Sequence, residues 1–519
     1  MKKEGLTRRN FLKSAALVGT SAAIIGASGC APGGQTSGAS ATSSSGVYLP
    51  ETWDQEYDVV IVGAGGAGCA AAYSAAKNGA SVYVIDSQPN NSFTSTAICG
   101  GYTYFVQSGL QEEQGIKDSI DLFVSDTMAY GESCKEDVLR VFAEKSRAYY
   151  DFVTDDLGLQ WTGTVNLSPG CSVPRTLICN PGEHQQLVYE AAQDAGAEFS
   201  FETTGTRLFQ DGNGVICGVL AESKNREIAL KAKKAVILAT GGVTQSPEFL
   251  EECMPGASAI PAHSSEGHTG LMHNAAMEVG CQMYGRPWVY ATEAKYPGYV
   301  SMDQYAELYI YGAAEVNVDG ERYVNESIYW CNDRTRALLN QPTDPADGIC
   351  SWEIIDQTAY DAAVAAGPPI GLQESTIELL VSANTYEELG EKINAPKLAE
   401  SMAKYNEDIL STGVDSIFGR DTVLGVGTGP AVALNTPPFY AFKNAPHFDY
   451  DPATSFYVDT ECRALNSFDE PVERLYMAGE IMLRSVVGNH YQYGLATGAG
   501  GALGLYCGEI VAALDPWDA

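Results

Sequence analysis

Residues 57–86 read YDVVIVGAGGAGCAAAYSAAKNGASVYVID. A β-branched run, Val59 to Val62, stops at Gly63-Ala64-Gly65-Gly66-Ala67-Gly68, and an alanine-rich segment of helical character follows. A second apolar strand, Val82 to Ile85, ends in Asp86. Strand, glycine turn, helix, strand and acid in this order predict a dinucleotide-binding unit. Gly63 allows the tight turn, Gly65 lets the backbone approach a pyrophosphate, and Gly68 lets helix and strand pack closely. The phosphates then sit on the helix N-terminus, and Asp86 accepts from a ribose hydroxyl. The unit alone does not separate FAD from NAD.

The N-terminal residues read as a targeting segment outside the fold. Met1-Lys2-Lys3 supply positive charge, Arg8-Arg9 precede Asn10-Phe11-Leu12-Lys13, and an apolar stretch runs from Ala15 to Ala27. This predicts a twin-arginine signal over residues 1–30, a route that exports proteins already folded around a cofactor. Ala27-Ser28-Gly29-Cys30 is similar to a lipoprotein cleavage box, with alanine where leucine is usual. Lipid attachment at Cys30 and a free mature end both stay open. Residues 31–51, rich in Gly, Ser, Ala and Thr, predict a flexible tether.

The rest of the chain is too long for one hydrophobic core, so two domains or more are expected. A net charge of −34 argues against nucleic acid or an anionic membrane surface as partners. The 13 cysteines are scattered, with no CxxC and no CxxCH, which excludes an in-chain c-type haem. They are expected as buried small hydrophobes. Pairing or cluster binding by Cys171 with Cys179, or by Cys331 with Cys350, is the alternative. His263, His268 and His273 recur at intervals that do not share a helix face, and no metal site is expected.

Further cofactor signals lie downstream. Ala235 to Gly242 reads AVILATGG, a buried strand running into a small-residue turn. Thr203 to Leu208 and Val215 to Val219 read as short strands around the turn Asp211-Gly212-Asn213-Gly214. Leu475 to Glu480, LYMAGE, is a strand ending in Gly-Glu, followed by a glycine-rich run from Gly494 to Gly504 that opens a helix. A unit that starts at residue 57 and ends near 515 wraps around an insertion.

These motifs, with AICGG at 97–101, EGHTG at 266–270 and NVDGERYVNE at 317–326, together resemble the fumarate reductase and succinate dehydrogenase flavoprotein family. That group includes 3-oxosteroid 1-dehydrogenases, urocanate reductase and exported ene-reductases. The resemblance covers nearly all of the chain after the tether. It implies an α/β fold: a Rossmann-like FAD-binding domain, residues 52–286 and 433–519, split by an inserted α+β capping domain, 287–432. It also implies FAD as cofactor and a small-molecule substrate between the two domains. By position, the pyrophosphate lies at Gly63 to Gly68 and the adenosine ribose at Asp86. Thr94, Ser95, Gly100 and Gly101 line the flavin side, while Thr206, Thr240, Gly241 and Gly242 flank the adenine half. Glu480 binds the ribityl chain, and amides near Ala502 and Leu503 face the flavin carbonyl edge. After Thr269-Gly270 the family often has Asp-Gly, where this chain has Leu271-Met272.

The fumarate-reducing members protonate their substrate with an arginine four residues after the Asn-Glu pair, and that position here is Trp330. Tryptophan supplies no such proton. The positions that clamp dicarboxylates fall on Glu293, Tyr309 and Leu495. The expectation is therefore an enzyme that is not a fumarate reductase. Tyrosines and tryptophans crowd residues 284–330. They predict either core packing or an aromatic-walled pocket for a flat, uncharged substrate. The 3-oxosteroid dehydrogenases carry a tyrosine after the Asn-Glu and another before the C-terminal glycine run, close to Tyr329 and to Tyr493 or Tyr491 here. A phenol can pass the proton at the α carbon while hydride moves at the β carbon. His490, Tyr309 and Arg334 are further candidates for this site, with Arg334 and Arg336 also readable as solvated charges. Two directions stay open: C=C reduction fed by a separate cytochrome or quinol-linked donor, or 3-oxosteroid 1-dehydrogenase-type oxidation. A flavin electron carrier is the third possibility, and the inserted domain argues against it.

Overall fold

Val59, Val60 and Ile61 are fully buried because β1 (Gln55–Val62) lies in the middle of a mostly parallel sheet, covered on both faces. The computed structural model describes residues 48–518 apart from 132–133, 169, 254, 263, 284–291, 296, 298–307, 328–331, 368–370, 421–430, 449–453 and 489–490. All of them belong to one unit, Ala41–Ala519. In chain order the further strands are β2 (Val82–Ile85), β3 (Tyr102–Tyr104), β4 (Thr176–Ile178), β5 (Glu198–Ser200), β6 (Thr203–Gln210), β7 (Ile216–Ser223) and β8 (Arg226–Leu238). They are followed by β9 (Thr292–Lys295), β10 (Ala314–Val316), β11 (Ser351–Ile355), β12 (Val381–Ala383), β13 (Phe439–His447), β14 (Arg463–Leu465) and β15 (Pro471–Met477).

The eight-stranded sheet runs β14-β15-β8-β1-β2-β5, with the β6–β7 hairpin attached to β8. Val62 pairs with Ile85 on one side and Leu238 on the other, and Met477 pairs with Leu238. The three cofactor motifs thus end side by side at the carboxyl edge of adjacent parallel strands, where open α/β sheets bind ligands. Helix α1 (Gly66–Lys77) follows β1, and helix α6 (Leu495–Ala512) packs along it. The approach depends on small residues: side chains at Gly504 or Gly508 would collide with the backbone of Ala67 or Ala71. Between these two, the helices that carry site residues are α2 (Ile120–Gly131), α3 (Glu136–Asp151), α4 (Pro181–Asp194) and α5 (Leu271–Glu278). α6 is long and apolar enough to cross a membrane, yet 67% of it is buried inside the protein, as befits a core helix.

A second sheet, β10-β11-β13-β12 with β9 on β13, is antiparallel throughout. Helices Tyr386–Ile393 and Leu398–Thr412 cover it through Leu389, Leu398, Met402 and Tyr405. β13, which follows residue 432, is the strand on which β9, β11 and β12 assemble.

Among the described residues, Cys69, Cys134, Cys179, Cys217, Cys281, Cys350, Cys462 and Cys507 are free thiols and buried. Cys171 stands beside Tyr104 and Gln492, while Cys179 faces the Gly101 carbonyl, so these two act as core residues rather than as a pair. Cys350 is likewise unpaired and fully buried, and Cys331 lies outside the described residues.

Candidate active site

The strand ends enclose one long cavity. At its nucleotide end, Gly63 has φ +109° and stands so close to the Ala239 carbonyl that only hydrogen fits on its Cα. A side chain on Gly68 would strike the Gly63 carbonyl, which is the helix–strand contact expected of it. Gly65 faces the open cavity instead, and the first turn of α1 carries no acidic residue. No Lys or Arg lines the cavity among the described residues. A diphosphate here is therefore neutralised by backbone amides and the helix dipole. Ala64 lies behind this wall, and its amide donates to Asp86 Oδ2 at 2.7 Å. Asp86 Oδ1 accepts from the Gln88 amide at 2.8 Å. Burial raises the Asp86 pKa, with both amides opposing that rise.

Gly66, Ala67, Thr240, Gly241, Gly242 and Glu480 also border the cavity. Thr240 Oγ1 is buried there with no hydrogen-bond partner among the described residues, which fits a ligand with polar atoms. Thr206 does not reach it. β6 and β7 shift register between Gly205 and Arg207, and the Thr206 hydroxyl donates to the Leu220 carbonyl at 3.2 Å. Thr203, Thr204 and Gly205 line the wall in its place.

Two histidines of the dismissed metal pattern belong to this wall. His268 Nε2 is 3.1 Å from Ser95 Oγ and 3.7 Å from Glu480 Oε2, and its Nδ1 is 3.4 Å from Thr244 Oγ1. Burial lowers its pKa to about 4, so the ring is neutral at physiological pH. His273, packed between Phe249 and Phe456, is pushed down to about 3 by burial. In the sequence, the signal for His268 is the EGHTG motif at 266–270.

Thr94, close by Gly65, also lines the cavity, as do Ser95, Gly100, Tyr102, Tyr149, Tyr491 and Tyr493. Gly101, at φ +75°, packs against the Cys179 carbonyl behind them. The rings of Tyr102 and Tyr493 stack at 5.6 Å. α6 begins beside them with Gly494 as its N-cap, and Ala496, Thr497 and Gly500 border the cavity. Ala502 and Leu503 do not. They lie two turns inside the helix, where amides are spent on intrahelical bonds, and both are buried. The amides of a helix start belong instead to its first turn, from Leu495. Tyr491 Oη already accepts from the Gly494 amide at 3.1 Å. Burial raises the Tyr491 pKa, with the Gly494 and Ala496 amides opposing. The phenol therefore stays protonated at neutral pH.

Arg334 is not a solvated charge. It is 5% exposed, pairs with Glu315 Oε2 at 2.6 Å and sits 4.9 Å over the Tyr309 ring, itself 3% exposed. Arg336 on the same helix is exposed. Tyr323 donates to the same Glu315, so this tyrosine belongs to the core of the inserted domain. Tyr329, Trp330 and His490 lie outside the described residues.

Residues 58–496 match the model of the FAD binding domain family. The chain belongs to this family. Its cofactor is FAD, and the glycine turn, Asp86 and the unpartnered Thr240 hydroxyl are consistent with it. Among relatives, the family member "Fumarate reductase (cytochrome)" of Shewanella frigidimarina is 27% identical, over 82% of this chain and 72% of that protein. "Digoxin reductase" of Eggerthella lenta is 26% identical over 99% of this chain and 98% of its own. The open conformation of a flavocytochrome c3 fumarate reductase superposes with a TM-score of 0.71 at 25% identity, covering 89% of this chain and 78% of that one. This chain is an FAD-dependent oxidoreductase of the group that acts on C=C and CH–CH bonds.

Proposed function

We propose that this protein is an exported ene-reductase that saturates a C=C bond conjugated to a carbonyl in an aromatic or polycyclic, non-dicarboxylate substrate. The observation that carries this is the wall where α6 begins. Tyr102, Tyr491 and Tyr493 border the cavity there, and no Lys or Arg lines it among the described residues. Two carboxylates would enter such a space unpaired, at a cost of several kcal/mol each by an order-of-magnitude estimate of about 3–5 kcal/mol. A flat carbonyl compound would instead gain aromatic contact area and phenol donors. Trp330 and Tyr309, standing where dicarboxylate-reducing relatives need arginines, support the same reading.

When bound, FAD supplies hydride from N5 to the β carbon. The chain's own residues supply the rest. Tyr491, kept protonated by burial, offers its hydroxyl hydrogen to a carbonyl oxygen or an α carbon. The Gly494 amide donates to the same oxygen and eases the negative charge left when that hydrogen is given up. Tyr493, held against Tyr102, presents a second phenol. The twin arginine at Arg8-Arg9 favours export, and with it a cytochrome or quinol-linked donor rather than cytoplasmic NADH. The direction of reduction agrees with that of a relative aligned over almost the whole chain, the digoxin reductase of Eggerthella lenta.

The test is anaerobic photoreduction of the FAD-loaded protein, followed by enones, cinnamates, steroids and dicarboxylates in separate mixing experiments. Fast flavin reoxidation by an enone or cinnamate is expected. Fast reoxidation by fumarate would overturn the reading. Tyr491→Phe and Tyr493→Phe should each slow reoxidation by about 10²-fold or more while FAD stays bound. Full activity in both variants would refute the phenol assignment.

A further inference from the structure

The segment 491–493 turns alternate side chains to opposite sides. Tyr491 and Tyr493 border the cavity, while Gln492 between them is fully buried on the far side. Its amide is met at both ends. Thr127 Oγ1, on α2, donates to Gln492 Oε1 at 3.0 Å, and Gln492 Nε2 donates to Cys171 Sγ at 3.3 Å. Behind Cys171 the polar groups continue: its sulfur is 3.3 Å from Tyr104 Oη, which accepts from Arg175 at 3.2 Å. Arg175 is fully buried between Asp118 and Asp126, each at 2.7 Å. The main chain of the same segment is held too. Thr176 Oγ1 donates to the Tyr493 carbonyl at 2.8 Å, and the Tyr104 amide donates to the Gly494 carbonyl at 3.0 Å.

We propose that Gln492 and Thr127 are positioning residues that set how Tyr491 and Tyr493 face the substrate. The inference rests on the ene-reductase reading for what the tyrosines do, and on geometry alone for what holds them. An apolar residue would bury at position 492 with no directional partner to fix the rotation of the segment. A primary amide buries there only because a hydroxyl on α2 and a sulfur in the loop ahead of β4 complete it, and both come from more than 300 residues upstream in the chain. Both partners belong to the scaffold behind this segment, so they fix the rotation of the segment about its own axis. That rotation decides where two phenols on its other side point. A half-satisfied bracket leaves the amide buried without its partner, and the segment turns to reach water, taking both tyrosines with it.

The experiment compares Thr127→Val, isosteric but without the hydroxyl, with Thr127→Ser, which keeps it, and with Gln492→Leu, all as FAD-loaded holoproteins. Hydrogen–deuterium exchange of residues 491–497, the flavin absorption spectrum, and reoxidation of photoreduced enzyme by cyclohex-2-enone are measured. In Thr127→Val and Gln492→Leu, FAD content stays that of the parent. Exchange in 491–497 rises about tenfold, the loss of one net hydrogen bond. Saturating reoxidation slows by at least as much, with a smaller change in the enone concentration that half-saturates it. Thr127→Ser restores exchange and rate. Unchanged exchange in 491–497, exchange raised evenly across the protein, or a serine variant behaving like valine would each overturn the proposal. Cyclohex-2-enone failing to reoxidise even the parent would count against the ene-reductase reading. The exchange pattern, the flavin spectrum and the serine rescue would then still decide whether the bracket holds the segment.

Discussion

Gly65 and Gly68 stand three residues apart in one motif and are glycines for different reasons. A side chain on Gly65 meets nothing closer than Thr96 Oγ1 at 3.9 Å, whereas one on Gly68 strikes the Gly63 carbonyl. Gly65→Ala should therefore melt at the parent temperature as apoprotein but bind FAD weakly, because the methyl group occupies ligand space. Gly68→Ala should lose thermal stability as well as FAD, because helix and strand must part. Calorimetry of both apoproteins with FAD titration separates the two, and equal melting losses would refute the distinction. Both roles were legible in the sequence, since they follow from the spacing of a turn between strand and helix. Asp86 was legible in part: its place was evident, but not that two backbone amides already hold its carboxylate. His268 was legible only as a letter of EGHTG, and Tyr102 not at all. A single histidine or tyrosine carries no spacing signal, and their value comes from Ser95, Glu480 and Tyr493, which lie far away in the chain.

Elements show the same division. The glycine run from Gly494 to Gly504 opens α6 as expected, but the helix starts at Leu495 and its first-turn amides are not those near Ala502 and Leu503. It does so although glycine is a poorer helix former than alanine by about 1 kcal/mol. The glycines at 498, 501, 504 and 508 are inside the helix, where side chains would collide with Tyr104, Tyr149, Ala67 and Ala71. Close packing outweighs propensity there, which is why Ala502 and Leu503 lie deep in the helix and the cavity sees its first turn. Arg175, just ahead of β4, ties distant segments in a comparable way through Asp126 on α2 and Asp118 in the loop before it. Arg175→Met would leave two buried carboxylates without their cation. Urea denaturation should show a loss of about 3–5 kcal/mol. A loss below about 1 kcal/mol, the value of an exposed pair, would show that water reaches the site.

For the molecule as a whole, histidines buried in neutral form contribute to the loss of stability in acid. Burial lowers His184 and His268 to about 4 and His273 to about 3, against about 6.5 in an unfolded chain. Between those values the unfolded state binds protons that the folded state refuses. The stability present above pH 6.5 is therefore lost progressively as pH falls toward 4, by up to about 1.4 kcal/mol per pH unit for each histidine. Urea midpoints measured from pH 7 to pH 4.5 should fall steadily, and His184→Gln should flatten the slope by about one proton. A pH-independent midpoint would mean that these rings reach solvent. By itself the sequence determined the α/β fold class, the cofactor unit and the flavoprotein family, because each is carried by residue order and by motifs at counted positions. The tertiary structure decided which strand completes the inserted sheet, which threonines border the nucleotide, where α6 starts, and what stands behind the tyrosines. Each of these depends on which distant segments share a wall, and the contacts that settle it, Thr127 with Gln492 or Tyr102 with Tyr493, join residues hundreds of positions apart.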